Sequence, residues 1–346
     1  SFRNCVCLGH IVDEDGRKMS KSARNVVDPW TVTEVHGADA LRWLMFADGN
    51  PWVSRRVGTQ QLDDVVRRFL LTIWNTHVFF TTYARIDGFD PSSPAPDVVD
   101  RPVNDRWILA ELADTVDVVD RGLDGYDVSS ATRRLERFVD DLSNWYVRRS
   151  RRRFWRGVDE APTDKAAAYH TLHTVLTTLA QLLAPFVPFV AERLWQDLVV
   201  SVDPEAHDSV HLTDFPVAPD TWRDDAVLAA MSTARRLVEL GRQARTDSGH
   251  RIRQPLARAL VGVPAREAAR LAPVAPEIEE ELHLHAVELA DGSAGVLDRS
   301  PRPHFPPLGP AFGPDPPPVA GGASALASAS VQALAAAAQD GTMTAR

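Results

Sequence analysis

The sequence predicts a mainly α protein: a short α/β stem, then an antiparallel helical bundle, then a small α+β piece. Three observations predict this order. Mixed apolar runs and turns fill residues 1–58, and apolar residues recur at helical spacing from about Thr59. Short alternating segments follow residue 255. We therefore expect a stem over 1–58, a bundle over 59–220, an amphipathic helix with a small α+β domain over 221–300, and a Pro/Ala-rich, poorly specified tail over 301–346.

The stem contains several short elements. An apolar run from Phe2 to Val12 is typical of a strand, and DEDG at 13–16 is typical of a turn. A polar loop follows, and Asp28-Pro29 interrupts the chain. GADALRWLMFA, at 37–47, predicts a short helix.

Four helices are predicted for the bundle, separated by a Pro/Asp/Ser-rich loop and by turns. Pro185 and Pro188 should split the last of them, because proline removes a backbone donor inside a helix. A further helix and two strands are predicted after an irregular connection. The expected bundle helices start near Thr59, Trp107, Asp127 and Asp164, the further helix covers 221–246, and the strands cover 259–263 and 286–289.

Composition restricts the class of protein. The 346 residues carry a formal charge of −9, and no run reaches the roughly 18 apolar residues of a membrane span. The two cysteines, Cys5 and Cys7, are expected to be strand residues in a core. Their spacing does not predict a metal site. We expect a cytoplasmic monomer without a membrane contact. Because the chain starts at Ser1 in what resembles a domain interior, we expect the C-terminal portion of a longer protein.

A polar loop, GRKMSKSARN at 16–25, contains two of the three lysines in the sequence, Lys18 and Lys21. Lysine offers a compact ammonium on a flexible stem, which suits phosphates that move during a reaction. Ammonium groups beside a departing pyrophosphate stabilise the transition state more than the ground state. Ser20 and Ser22 would add hydrogen bonds. The alternative is an exposed polar loop with chance lysines.

An arginine-rich helix end, NWYVRRSRRRFWR at 144–156, carries six arginines. The apolar stripe that runs through Trp145 and Tyr146 continues on to Arg149 and Arg153. Those two could pair with carboxylates, Asp140 and Asp141 being near in sequence. The helix end could instead contact phosphates and stack on unpaired bases. We expect a mixture, with Arg149 and Arg153 partly structural.

These segments resemble one family. KMSKS, at 18–22, is the second signature of class I aminoacyl-tRNA synthetases. GRKMSKSARNVVDPW, GADALRW and LAPFVPF resemble the isoleucine, valine and leucine enzymes. NWYVRRSRRRFW, RTDSGHRIRQPL and HFPPLGPAFG (304–313) resemble the isoleucine enzymes in particular. Many members have Leu-Gly where this chain has Ala23-Arg24.

The resemblance implies a two-step reaction in an intact enzyme. Isoleucine attacks ATP, with Mg²⁺ assisting, to give isoleucyl-adenylate, and the acyl group passes to tRNA(Ile). Lys18 and Lys21 would be catalytic, and the bundle would be the anticodon-binding domain. Lys18, Met19, Ser20, Lys21 and Ser22 would bind ATP. The tRNA would contact Asn144, Trp145, Tyr146, Arg148, Arg149, Arg151, Arg152, Arg153 and Trp155.

The other class I signature, HIGH, does not occur in the sequence. Isoleucine, and zinc if any, would therefore bind outside this chain, which alone would perform neither step. Two alternatives stay open: an enzyme of the same class that charges valine or leucine, and a nonenzymatic tRNA-binding module.

Overall fold

The computed structural model describes Phe2 and residues 4–291, and it divides the chain into two compact units, Ser1–Met231 and Ser232–Arg346. The expected tail at 301–346, including HFPPLGPAFG, lies outside the described residues.

Within the described residues the chain is mostly helical, which confirms the mainly α prediction. The α-helices are α1 (Pro29–His36), α2 (Ala38–Ala47), α3 (Thr59–Val65), α4 (Leu71–Asp87), α5 (Val103–Asp124), α6 (Val128–Asp140), α7 (Arg148–Trp155), α8 (Pro162–Leu183), α9 (Pro188–Trp195), α10 (Asp225–Asp247), α11 (Ala265–Leu271) and α12 (Ala275–Leu282). The strands are β1 (Ile11–Val12), β2 (Arg55–Arg56), β3 (Ala259–Val263) and β4 (Val287–Asp291). Segments of π-helix occupy Val66–Leu70, Asp141–Val147 and Gln196–Val200, and 3₁₀ turns occupy Val98–Asp100, Val210–Leu212, Asp220–Trp222 and Ala272–Val274.

The stem departs from the sequence prediction in three places. The strand expected from Phe2 to Val12 is reduced to β1, which pairs in parallel with β2. Cys5 and Cys7 are exposed, so their expected place in a core is wrong. The Asp28-Pro29 pair does not interrupt the chain but begins α1, since Asp28 accepts a hydrogen bond from the backbone of Trp30 and proline fits the first helical turn.

The helices of the first unit bury many apolar side chains. Leu135, Phe138 and Leu172 are fully buried there. The α5 helix packs on both α6 and α8. As the two prolines predict, α8 ends at Leu183 and Pro188 begins α9.

The α2 helix holds the turn between α8 and α9 at both ends. Arg42 donates hydrogen bonds to the carbonyls of Pro185 and Phe186, at 2.8 and 3.1 Å. Asp39 accepts a hydrogen bond of 2.7 Å from the backbone N–H of Val190, in the first turn of α9. Burial raises the pKa of Asp39. Asp39 is therefore a cap of α9, a helix that is distant from it in sequence.

The second unit pairs β3 with β4 in parallel, with Ala259 opposite Val287. Gly241 on α10 permits a close approach, because a Cβ there would lie 2.4 Å from a methyl carbon of Leu282.

No helix among residues 4–291 is long and apolar enough to cross a membrane.

Candidate functional site

Asn25 and Asp13 close the lysine loop. The Asn25 side chain accepts a hydrogen bond of 2.9 Å from the backbone N–H of Ser20, and donates to the carbonyl of Lys18 at 3.2 Å. It also donates to Asp13 Oδ2 at 2.8 Å, while Asp13 Oδ1 accepts from the N–H of Arg17 at 2.7 Å. These hydrogen bonds, from Asn25 first, lower the pKa of Asp13. The two ends of the loop are therefore joined through polar side chains.

Met19 attaches the loop to buried apolar residues. Its side chain packs against an apolar cluster that includes Val32, Leu44 and Leu62. Ser20 Oγ lies 3.1 Å from Ser22 Oγ and accepts a hydrogen bond from the backbone of Ala23, so this hydroxyl also shapes the turn.

Arg24 lies in the left-handed region, with φ of 52°. A side chain there costs roughly 1 to 2 kcal/mol relative to the right-handed conformation. Glycine avoids this cost, so the structure gives a physical reason for the glycine that many members of the resembled family carry at this position.

The three lysines divide into two kinds. Lys18 and Lys21 are exposed, and neither ammonium has an ion-pair partner among the described residues. Lys165 is buried, and its Nζ lies 2.7 Å from Asp87 Oδ2. The two loop lysines can therefore move with a bound anion, whereas the ammonium of Lys165 is held in the interior by its ion pair.

Metal binding has no support in the part of the chain that the structure describes. No group of three His, Cys, Asp or Glu side chains there is placed to hold a metal ion.

In the arginine-rich helix end, Arg153 is a structural residue. Its Nη1 and Nη2 donate to the two carboxylate oxygens of Asp105, at 2.6 and 2.7 Å, and its Nε lies 2.9 Å from Asp164. Asp105 is fully buried. The partners of Arg153 therefore come from α5 and α8, and the expectation of Asp140 or Asp141 is wrong for this arginine.

The two aromatic residues before these arginines are also interior. Tyr146 is fully buried and donates a hydrogen bond of 2.9 Å to Asp105. Burial raises the pKa of its hydroxyl well above the ordinary value. Trp145 is 7% exposed, and the guanidinium of Arg149 lies 5.5 Å from its ring centre. A buried ring offers no face to a nucleic-acid base, so these two residues support the helix instead of stacking.

The remaining predicted residues lie at the surface. Arg151 and Arg152 are exposed and have no ion-pair partner among residues 4–291. Trp155 is 59% exposed. Arg148 is exposed and donates to the carbonyl of Asn144, and the amide of Asn144 is held by Asp140. The face that combines free positive charge with an open aromatic ring is thus formed by Arg151, Arg152 and Trp155, which we call the helix-end surface.

Sequence analysis missed three residues that position the candidate site residues. Asn25 and Asp13 are polar residues at loop ends, and their types alone could have indicated loop closure. Asp105 lies 48 positions before Arg153, and no local pattern connects the two.

The chain matches two protein-family profiles. "tRNA synthetases class I (I, L, M and V)" matches residues 1–52, and "Anticodon-binding domain of tRNA ligase" matches residues 105–260.

Curated relatives match nearly the whole chain. An "Isoleucine--tRNA ligase" of Streptomyces coelicolor is 48% identical over 99% of this chain and 32% of its own length. Proteins of the same description from Thermobifida fusca and Thermus thermophilus are 48% and 44% identical, over 92% and 90% of this chain and 30% of their own lengths. The chain thus spans about a third of the relatives that it matches. On these matches, the chain is a homologue of isoleucine–tRNA ligases over about a third of their length.

Proposed function

We propose that this chain supplies two parts of an isoleucine–tRNA ligase: the lysine loop that serves amino-acid activation, and a helical domain that binds tRNA(Ile). One observation carries the proposal. Two exposed lysines, without acidic partners in the described part of the chain, lie in a loop closed by Asn25, within the segment that matches class I tRNA synthetases. The isoleucine description shared by the relatives favours isoleucine over valine or leucine.

The loop's part in the reaction follows from charge. In activation, the isoleucine carboxylate attacks the α-phosphorus of ATP and pyrophosphate leaves. Lys18 and Lys21 would neutralise the charge that grows on the pyrophosphate, Lys21 at the phosphates and Lys18 by ordering the loop as well. The backbone N–H groups and the hydroxyls of Ser20 and Ser22 would add donors. Mg²⁺ binds phosphate oxygens and retains waters, so it would arrive with ATP instead of in a protein cage.

The tRNA-binding surface would lie on the helices of the first unit. We propose that α4, α5, α6–α7 and α8 form an antiparallel anticodon-binding bundle, with the helix-end surface as its phosphate and base contact. Arg151 and Arg152 are available for phosphates, and Trp155 for a base. Arg148, Arg149 and Asn144 flank them. We retain the expected division into 1–58, 59–220, 221–300 and 301–346, and propose a cytoplasmic monomer.

A filter-binding titration of this chain tests the proposed tRNA-binding surface. We expect tRNA(Ile) to bind more tightly than tRNA(Val), and the affinity to fall as salt rises. The variant Arg151→Ala/Arg152→Ala should lose most of the binding. Arg223→Ala/Arg258→Ala is the control, since each of these arginines is paired with a carboxylate. Equal loss in both variants would contradict a localised surface.

A further inference from the structure

The second unit carries an exposed basic loop of its own. After α10 ends at Asp247, the chain turns through Gly249, whose φ is 73°, and residues 248–255 are all exposed. The loop ends at Leu256, whose backbone bonds to His283 and His285 in the strand region. Its sequence, SGHRIRQP, places Arg251 and Arg253 on either side of Ile252.

A buried arginine fixes the backbone of this loop. Arg245 is 4% exposed, and its Nη1 donates to the carbonyls of Arg251 and Gln254, at 3.0 and 2.8 Å. Its Nη2 donates to the carbonyl of Leu282. No carboxylate lies within ion-pair distance of Arg245 in the described part of the chain. Because a buried cation without partners is costly, these carbonyls are held firmly and the loop is pre-shaped.

The two loop arginines are exposed, and they differ from several other arginines of this unit in having no acidic partner among residues 4–291. Neither Arg251 nor Arg253 forms an ion pair among the described residues. Other arginines of this unit do, at 2.5 Å between Arg242 and Glu281, 3.0 Å between Arg258 and Glu288, and 3.3 Å between Arg270 and Glu267. In a chain with a net charge of −9, these two guanidinium groups lie exposed on a fixed turn, with no carboxylate at ion-pair distance in the described part of the chain.

We propose that the loop Ser248–Pro255 is a second RNA contact, in which Arg251 and Arg253 bind neighbouring phosphates. Guanidinium groups match phosphate oxygens in a bidentate way, and two residues of chain span at most about 7 Å. Ile252, 49% exposed between them, can pack on a ribose or a base. The inference rests on the proposed tRNA partner. It adds a contact on the second unit, whereas the helix-end surface belongs to the first unit.

The test measures the salt dependence of tRNA(Ile) binding to the full 346-residue chain, from about 50 to 200 mM salt. Arg251→Ala/Arg253→Ala should weaken binding and reduce the slope of log K against log salt by about 1.4 to 1.8, for two lost phosphate contacts. Arg251→Lys/Arg253→Lys should keep the slope, since the charge stays. The control Arg266→Ala/Arg270→Ala removes the same charge from arginines that lie beside Glu267, and should leave the slope unchanged.

The outcomes separate this inference from the proposed function. If the unaltered chain binds and the helix-end variant does not, yet the loop variant keeps the full slope, the second contact is wrong and the first stands. If the loop variant and its matched control change the slope equally, the effect is general charge and the inference fails. If the unaltered chain does not bind tRNA, both proposals fail.

Discussion

Arg153 and its neighbour Arg152 should have opposite roles, although they are adjacent and identical in type. We expect Arg153→Ala to destabilise the first unit strongly, because its guanidinium holds Asp105 through two short hydrogen bonds at a fully buried position. Arg152→Ala should leave stability nearly unchanged, because that side chain is exposed.

The magnitude follows from burial. Removing one partner of a buried ion pair costs roughly 3 to 5 kcal/mol, because the other charge stays in the interior. In this variant Asp105 keeps the hydroxyl of Tyr146 but loses its bidentate cation. An exposed arginine without a partner changes the free energy of unfolding by about 0.5 kcal/mol or less.

Urea unfolding, followed by far-UV circular dichroism, measures the difference between the two variants. The single variant Asp105→Asn and the double variant Asp105→Asn/Arg153→Ala complete a double-mutant cycle. The double variant should cost less than the sum of the single changes, with a coupling of about 1 to 3 kcal/mol. If Arg153→Ala costs under about 1 kcal/mol, or the two changes are additive, the buried pair does not have the role assigned to it.

Three further changes test other parts of the structure. Asp39→Ala removes the cap of α9 and should cost about 0.5 to 2 kcal/mol of stability in urea unfolding; no change would contradict the capping role. His77 is 3% exposed, and burial lowers its pKa, so it contributes stability that is present above its unfolded pKa and lost as the pH falls through the folded pKa. His77→Phe should therefore flatten the loss of stability between neutral and mildly acidic pH, and an unchanged pH profile would refute this. Asn25→Ala should open the lysine loop and speed tryptic cleavage within residues 17–24, measured by mass spectrometry; an unchanged rate would show that Asn25 does not close the loop.

Exposed residues of the same types supply controls for two of these variants. His250→Phe, which changes an exposed histidine, serves as the control for His77→Phe. Asp48→Ala changes an exposed carboxylate in the same part of the chain as Asp39.

Sequence analysis predicted the features that depend on local pattern. Helical periodicity predicted the long helices, and Pro185 and Pro188 marked the break between α8 and α9. The pair Asp28-Pro29 was misinterpreted because the same two residues suit a chain break and a helix start. Which of these forms depends on whether the following residues can bury Val32.

Features that depend on distant contacts were not predictable. The apolar stripe predicted that Arg153 lies on the inner face of its helix. The carboxylate that accepts its hydrogen bonds, however, comes from α5. Tyr146 looked like a stacking residue because aromatic side chains among arginines are typical of RNA-binding surfaces, yet its ring lies in the core. Local sequence gives the type of side chain, whereas its exposure is set by the helices that pack against it.

The central claim is that Lys18 and Lys21 serve the activation of isoleucine. The most direct measurement is isoleucine-dependent ATP–pyrophosphate exchange by a chimera in which this chain replaces the matching third of the Streptomyces coelicolor relative. We predict that the chimera exchanges pyrophosphate with isoleucine in preference to valine. Lys21→Ala should lower kcat by about 100-fold or more, as expected for loss of a group that stabilises developing charge, while Lys165→Ala should act through stability. An active chimera whose exchange rate is unchanged by Lys21→Ala would contradict the account.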